Sequence, residues 1–193
     1  MGYPEPPLDL DSVRALRKLD KQFYSSADDS AVREFVSRVK VAGKLVIERP
    51  TRILDLIRKF DLKALYVPDR QRILLDKEQP EVKWRWNEAH EVVHSVVPHH
   101  QELMHGDDLY DLSPDCHVQL ENEANYGAGR LLFLQDRFEE FVTGSEIRFK
   151  TIQDARSTFG NTMTSSLWRL VELLDIPAFG LISRHPKHKP APG

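Results

Sequence analysis

Five consecutive residues, His90-Glu91-Val92-Val93-His94, constrain this chain more than any other feature. They form an HExxH pattern within VKWRWNEAHEVVHSVV, where apolar residues return at helical spacing. On a helix, positions i and i+4 lie on one face, one turn apart. Two imidazoles so placed can hold one Zn²⁺, with Zn–N bonds of about 2.0–2.1 Å. The fold must therefore keep this segment helical and bring a further ligand to its histidine face. Glu91 sits about 100° around the helix axis from His90. There it can approach a metal-activated water without binding the metal, which is the general-base position of a zinc peptidase. In a chain of 193 residues with eight histidines, chance supplies roughly 0.02 such patterns. Composition alone does not account for the motif.

A catalytic zinc site needs a third protein ligand and an open fourth position. Two residues compete for the third place. His100 lies six positions after His94, the spacing of an extended HExxHxxGxxH motif. That motif uses glycine to turn the chain, whereas here Val97 stands at the glycine position and Pro98 follows. A β-branched residue resists the positive φ of such a turn. Glu121 lies on the next helical stretch, four residues before Asn125 and so on the same face. Glu121 can ligate the metal while Asn125, one turn on, hydrogen-bonds a ligand histidine from behind. Glu121 is therefore preferred over His100. Glu123 is about 200° around the helix from Glu121, so only one of the two can face the metal. Ala124, Gly127, Ala128 and Gly129 leave little bulk on this helix. Each glycine costs about 1 kcal/mol relative to alanine in a helix interior, a cost that close approach of the HEVVH helix would explain.

The rest of the chain is predicted to be α+β, mostly helical, with a small β-sheet or hairpin beside the HExxH helix. Leu10, Val13, Leu16 and Leu19 suggest a helix over 8–23, capped by Asp11 or Ser12. Two further helices are expected over 31–48 and 49–64. ALYVP and QRILLD flank PDRQ as a hairpin or as two strands with a tight connection. Residues 98–117 read as a long polar loop, a class of loop that often carries function. VQLENEANYGAGRLLFLQDRFEEFV reads as one long helix, with short helices over IQDARSTF and TSSLWRLVELL. The organisation expected is an N-terminal helical segment (1–60), a core with C-terminal short helices (61–180) and a disordered basic tail (181–193).

Composition narrows the chemistry. Lys plus Arg is 27 and Asp plus Glu is 30, for a formal charge of −3. That balance argues against coating nucleic acid. The single cysteine, Cys116, excludes an intrachain disulfide and a cysteine-based zinc cluster. Any zinc must then be held by nitrogen and oxygen. No apolar leader and no apolar run of 18 residues is present, so a cytoplasmic protein that contacts no membrane is expected. In TSSLWRLVELL, Arg169 is the one basic residue, too little for a DNA-recognition helix.

HEVVH, followed by Glu121-Asn122-Glu123-Ala124-Asn125 and the apolar run RLLFL, resembles the ImmA/IrrE metallopeptidases. The likeness covers roughly residues 60–175 and is specific at the two metal helices. It extends to the hairpin that enters the HExxH helix. It departs at Tyr126-Gly127-Ala128-Gly129-Arg130, where the family carries an FAA-like run. The resemblance implies a minimal zincin-like, gluzincin-type core with zinc ligands His90, His94 and Glu121 and general base Glu91. It implies an intracellular endopeptidase whose substrate is a helix-turn-helix transcriptional repressor, cleaved during a stress response. His105, Tyr110, His117 and Tyr126 are the candidates to stabilise the oxyanion. The alternative class is a non-catalytic module in which structural zinc supports protein or DNA binding. Glu91 weighs against it, because a structural site has no use for a base there.

Overall fold

The computed structural model describes residues 4–25, 63–67, 71–104 and 114–182. The expected helices over 31–48 and 49–64 fall almost entirely outside these residues, as do most of the tail and the expected boundary at residue 60. The architecture is α+β and mostly helical, with one small sheet. Two compact units are present. One is Asp9–Leu132, and the other joins Met1–Leu8 to Phe133–Gly193.

The first unit opens with α1 (Leu10–Arg17), shorter than its apolar periodicity suggests. Its N-cap is Asp9 rather than Asp11 or Ser12: the Asp9 carboxylate accepts from the amides of Asp11 (3.0 Å) and Ser12 (3.3 Å). Lys18 ends the helix in the left-handed region (φ 55°), returning its amide to the carbonyls of Ala15 and Arg14. The chain then becomes strand β1 (Asp20–Tyr24) instead of continuing as helix. Leu19 is buried in the sheet's core while Leu16 is exposed, so the two do not share the face that their spacing implied.

β2 (Ala64–Val67) and β3 (Arg72–Asp76) form the expected antiparallel pair, with Tyr66 opposite Ile73. β1 adds in parallel to the other side of β3, giving the order β1-β3-β2. The N-terminal segment therefore supplies part of the sheet of the expected core. As the central strand, β3 is buried over Ile73–Asp76, without the alternation of a half-exposed strand.

α2 (Glu81–Val96) carries the HExxH motif and packs on this sheet. Val92 joins Leu19, Ala64, Tyr66, Ile73 and Leu75 in one apolar cluster. Polar ties hold the helix in place. The Trp84 indole donates to the Asp76 carbonyl (3.2 Å), and the buried Glu88 pairs with Arg14 of α1 (2.5 Å) and Lys21 of β1 (3.0 Å). α2 ends as expected before Pro98, with Val97 extended at φ −85°.

Within the expected loop over 98–117, the described residues, 98–104 and 114–117, are helical. Pro98 opens α3 (Pro98–Met104), and Pro114 opens α4 (Pro114–Leu132). Proline lacks only an amide that a first turn leaves unused, so one residue can stop one helix and start the next. The long helix expected from 118 to 142 stops at Leu132. Leu134 and Gln135 adopt positive φ, 51° and 38°, and α5 (Asp136–Val142) follows.

The second unit contains α5, α6 (Phe149–Phe159) and α7 (Met163–Glu172), close to the expected short helices. Phe133, Phe138 and Phe159 form its buried aromatic core, with ring centroids 4.8–5.6 Å apart. Gly160 (φ 65°) makes the turn, and Thr162 caps α7 through the Ser165 amide (3.1 Å). Leu170 is buried, whereas Trp168 is half-exposed.

Candidate metal centre

His90 and His94 stand one turn apart on α2, with their Nε2 atoms 3.1 Å from each other. Glu121 of α4 faces both: Oε2 lies 3.2 Å from His90 Nε2, and Oε1 lies 3.7 Å from His94 Nε2. Ligands on a tetrahedral zinc at about 2.0–2.1 Å stand roughly 3.3–3.4 Å apart along each edge. The His90–His94 separation of 3.1 Å and the 3.2 Å from His90 Nε2 to Glu121 Oε2 are close to that edge length, and the other carboxylate oxygen, Oε1, faces His94 Nε2 at 3.7 Å. The ligand set is nitrogen and oxygen, as the cysteine count requires.

Small residues let α4 approach α2 this closely. Ala124 and Ala128 have no exposure. A Cβ built at Gly127 would lie 2.7 and 2.9 Å from the two methyl carbons of Val93, so only glycine fits without movement. Gly129 is less constrained, since its nearest neighbour would be Trp86 at 3.8 Å.

Hydrogen bonds order the protons around this triangle. Asn125 lies behind His90, with Oδ1 3.2 Å from Nδ1. His90 therefore donates from Nδ1, and the neutral ring keeps a lone pair at Nε2. Burial by itself lowers the His90 pKa. The hydrogen bond to Glu121, the charges of Glu91 and Glu121 and the bond to Asn125 outweigh it, and the net shift is upward. The position thus favours positive charge, whether a proton or a metal cation supplies it.

Glu91 is buried on the same helix. Burial pushes its carboxyl up to about 7; the charge of His90 opposes this, that of Glu121 adds to it, and a hydrogen bond from the Tyr66 amide of β2 lowers it. A carboxyl poised near neutrality can both take and return a proton.

His100 does not join the triangle. It is completely buried at the start of α3, and its Nδ1 lies 2.9 Å from Nδ1 of His94, on the opposite side of that ring from Glu121. Its Nε2 lies 3.0 Å from Glu123 Oε2. His99 reaches the same oxygen at 2.7 Å, and Gln119 donates to Oε1 at 2.8 Å. The bonds from Gln119, His100 and His99 hold the Glu123 carboxyl down at about 2. Glu121 and Glu123 meet different partners from α4, as their angular separation requires, while Glu123's own partners, His99 among them, go beyond the sequence expectations. Two available signals were its spacing of four residues from Gln119 and the adjacent histidines after Pro98.

Of the candidate oxyanion donors, His105 and Tyr110 lie outside the described residues. His117 falls within α4. Tyr126 is exposed beside Asn125, and its hydroxyl accepts from Arg130 at 3.4 Å.

No family model and no curated protein matches the chain. Among solved structures it is similar to a Mycobacterium tuberculosis transcriptional regulator, at 17% identity and a TM-score of 0.41 over 74% of this chain and 46% of that one. The chain thus spans about half the length of that neighbour.

Proposed function

We propose that this chain is a zinc-dependent endopeptidase of the ImmA/IrrE type, acting in the cytoplasm on a helix-turn-helix repressor. The observation that carries the reading is the convergence of His90 Nε2, His94 Nε2 and Glu121 beside the buried Glu91. His90, His94 and Glu121 would hold the metal. When bound, zinc supplies Lewis acidity, which acidifies water and polarises a carbonyl.

The protein's own groups do the remaining work. Glu91 takes a proton from the attacking water and returns it to the leaving amine. Its burial raises the proton affinity that this shuttling needs. Asn125 holds the His90 ring with its Nε2 lone pair toward the metal face. The substrate class rests on the likeness of HEVVH and the Glu121–Asn125 segment to that family. Direct nucleic-acid contact forms no part of the reading: Arg169 is buried in α7 and paired with Glu172 at 3.1 Å. Among the described residues, no helix is long and apolar enough to cross a membrane.

Glu91→Gln tests the chemistry. The variant should bind zinc like the wild type and fail to cleave the substrate. Cleavage at the wild-type rate would overturn the mechanism. Proteomics after induced expression tests the substrate class, with loss of intact repressor expected. Intact repressors throughout would count against it.

A further inference from the structure

His94 turns Nε2 toward His90 and Glu121 and Nδ1 toward His100. With both rings neutral, the proton positions beyond it follow from the acceptors. An ionised carboxylate only accepts, so His100 donates to Glu123 from Nε2 across 3.0 Å. A neutral His100 then has a lone pair at Nδ1. His94 must fill it with its own Nδ1 proton, across 2.9 Å. The neutral His94 is left with its lone pair at Nε2, on the face shared with His90 and Glu121.

We propose that Glu123 and His100 form a positioning relay that fixes the ring orientation and tautomer of His94 for metal binding. The inference rests on the metal centre of the preceding section and adds residues that touch no metal. Ligand histidines are commonly steered by one carboxylate, carbonyl or water. Here a second, fully buried imidazole stands between the carboxylate and the ligand. His99 reaches the same oxygen, Oε2, and Gln119 donates to Oε1, so the carboxylate is held in place before it orients His100.

The competing use of these atoms is a second cation site at His99, His100 and Glu123, whose donor atoms also converge. Its chemistry opposes the first site. A cation on His100 Nε2 needs the lone pair there, which moves the His100 proton to Nδ1. That proton would face the Nδ1 proton of a metal-bound His94 across 2.9 Å. One chain in this arrangement therefore serves one cation, at His90, His94 and Glu121.

Zinc titration of the full chain against a chromophoric chelator, with the absorption spectrum of the cobalt-substituted protein, tests the relay. The wild type should bind one equivalent. Glu123→Ala and His100→Phe should weaken zinc about 10–100-fold and shift the cobalt bands. His100→Gln, whose carbonyl can accept from His94 Nδ1, should recover part of the loss. His99→Ala should bind one equivalent at near wild-type affinity. Glu123 is partly exposed, so Glu123→Ala keeps the test open if His100→Phe does not fold. A folded Glu123→Ala with wild-type zinc affinity and cobalt spectrum would overturn the relay alone. A second wild-type equivalent that disappears in His99→Ala would overturn it in favour of a second cation site. A folded wild type that takes up no zinc would overturn the metal centre itself.

Discussion

The cluster of His90, His94 and Glu121 and that of His99, His100 and Glu123 use the same residue types from neighbouring segments. They differ in what their atoms face. In the first, two imidazole nitrogens and a carboxylate converge on one point, an arrangement that favours a proton or a cation between them. In the second, the carboxylate accepts from both histidines and from Gln119, so its charge is already answered. Residue composition does not separate a ligand set from its support. The order of the protons does, and it is set by Asn125 on one side and by Glu123 on the other.

Substitutions can break this contrast in graded steps. The largest expected effect is on turnover. Glu91→Gln should lower peptide cleavage by about 10²–10⁴-fold with zinc content unchanged, read by steady-state kinetics beside metal analysis. Glu121→Ala removes a converging ligand, so its loss of zinc affinity should exceed the about 10–100-fold typical of supporting residues. Competition titration would show it, and an equal effect from Glu123→Ala would erase the distinction between the clusters. Gly127→Ala places a Cβ against Val93 and should cost about 1–3 kcal/mol through overpacking, seen as a lower Tm. Adding Val93→Ala should restore it, whereas no recovery would mean that the helices are not held apart at this point. Asn125→Ala should weaken zinc by about 10-fold, the low end for a group that steers a ligand. His99→Ala should change least, since its ring is half-exposed and two other donors remain on Glu123.

Much of this arrangement was legible in the sequence. The spacing of His90 and His94, the same-face relation of Glu121 and Asn125, and the glycine at 127 each follow from helical geometry, and the structure places them together. The pairing of β2 with β3 was legible from the two short apolar runs on either side of PDRQ. Other features depend on tertiary context. Residues 20–24 carry no strand pattern of their own. They become β1 because Lys18 ends α1 and β3 offers an open edge. The interruption after Leu132 rests on two positive-φ residues, Leu134 and Gln135, neither of them a glycine that would have signalled it. By spacing alone His100 is a rival ligand. Its actual place depends on Pro98 starting a helix instead of a loop, which turns the ring toward the back of His94.

Crystals of the zinc-loaded protein, measured at the zinc absorption edge, test the central claim most directly. The account predicts one anomalous peak per chain, at about 2.0–2.2 Å from His90 Nε2, His94 Nε2 and a Glu121 oxygen, with His100 still hydrogen-bonded to His94. A peak among His99, His100 and Glu123, or none near His90 and His94, would contradict it.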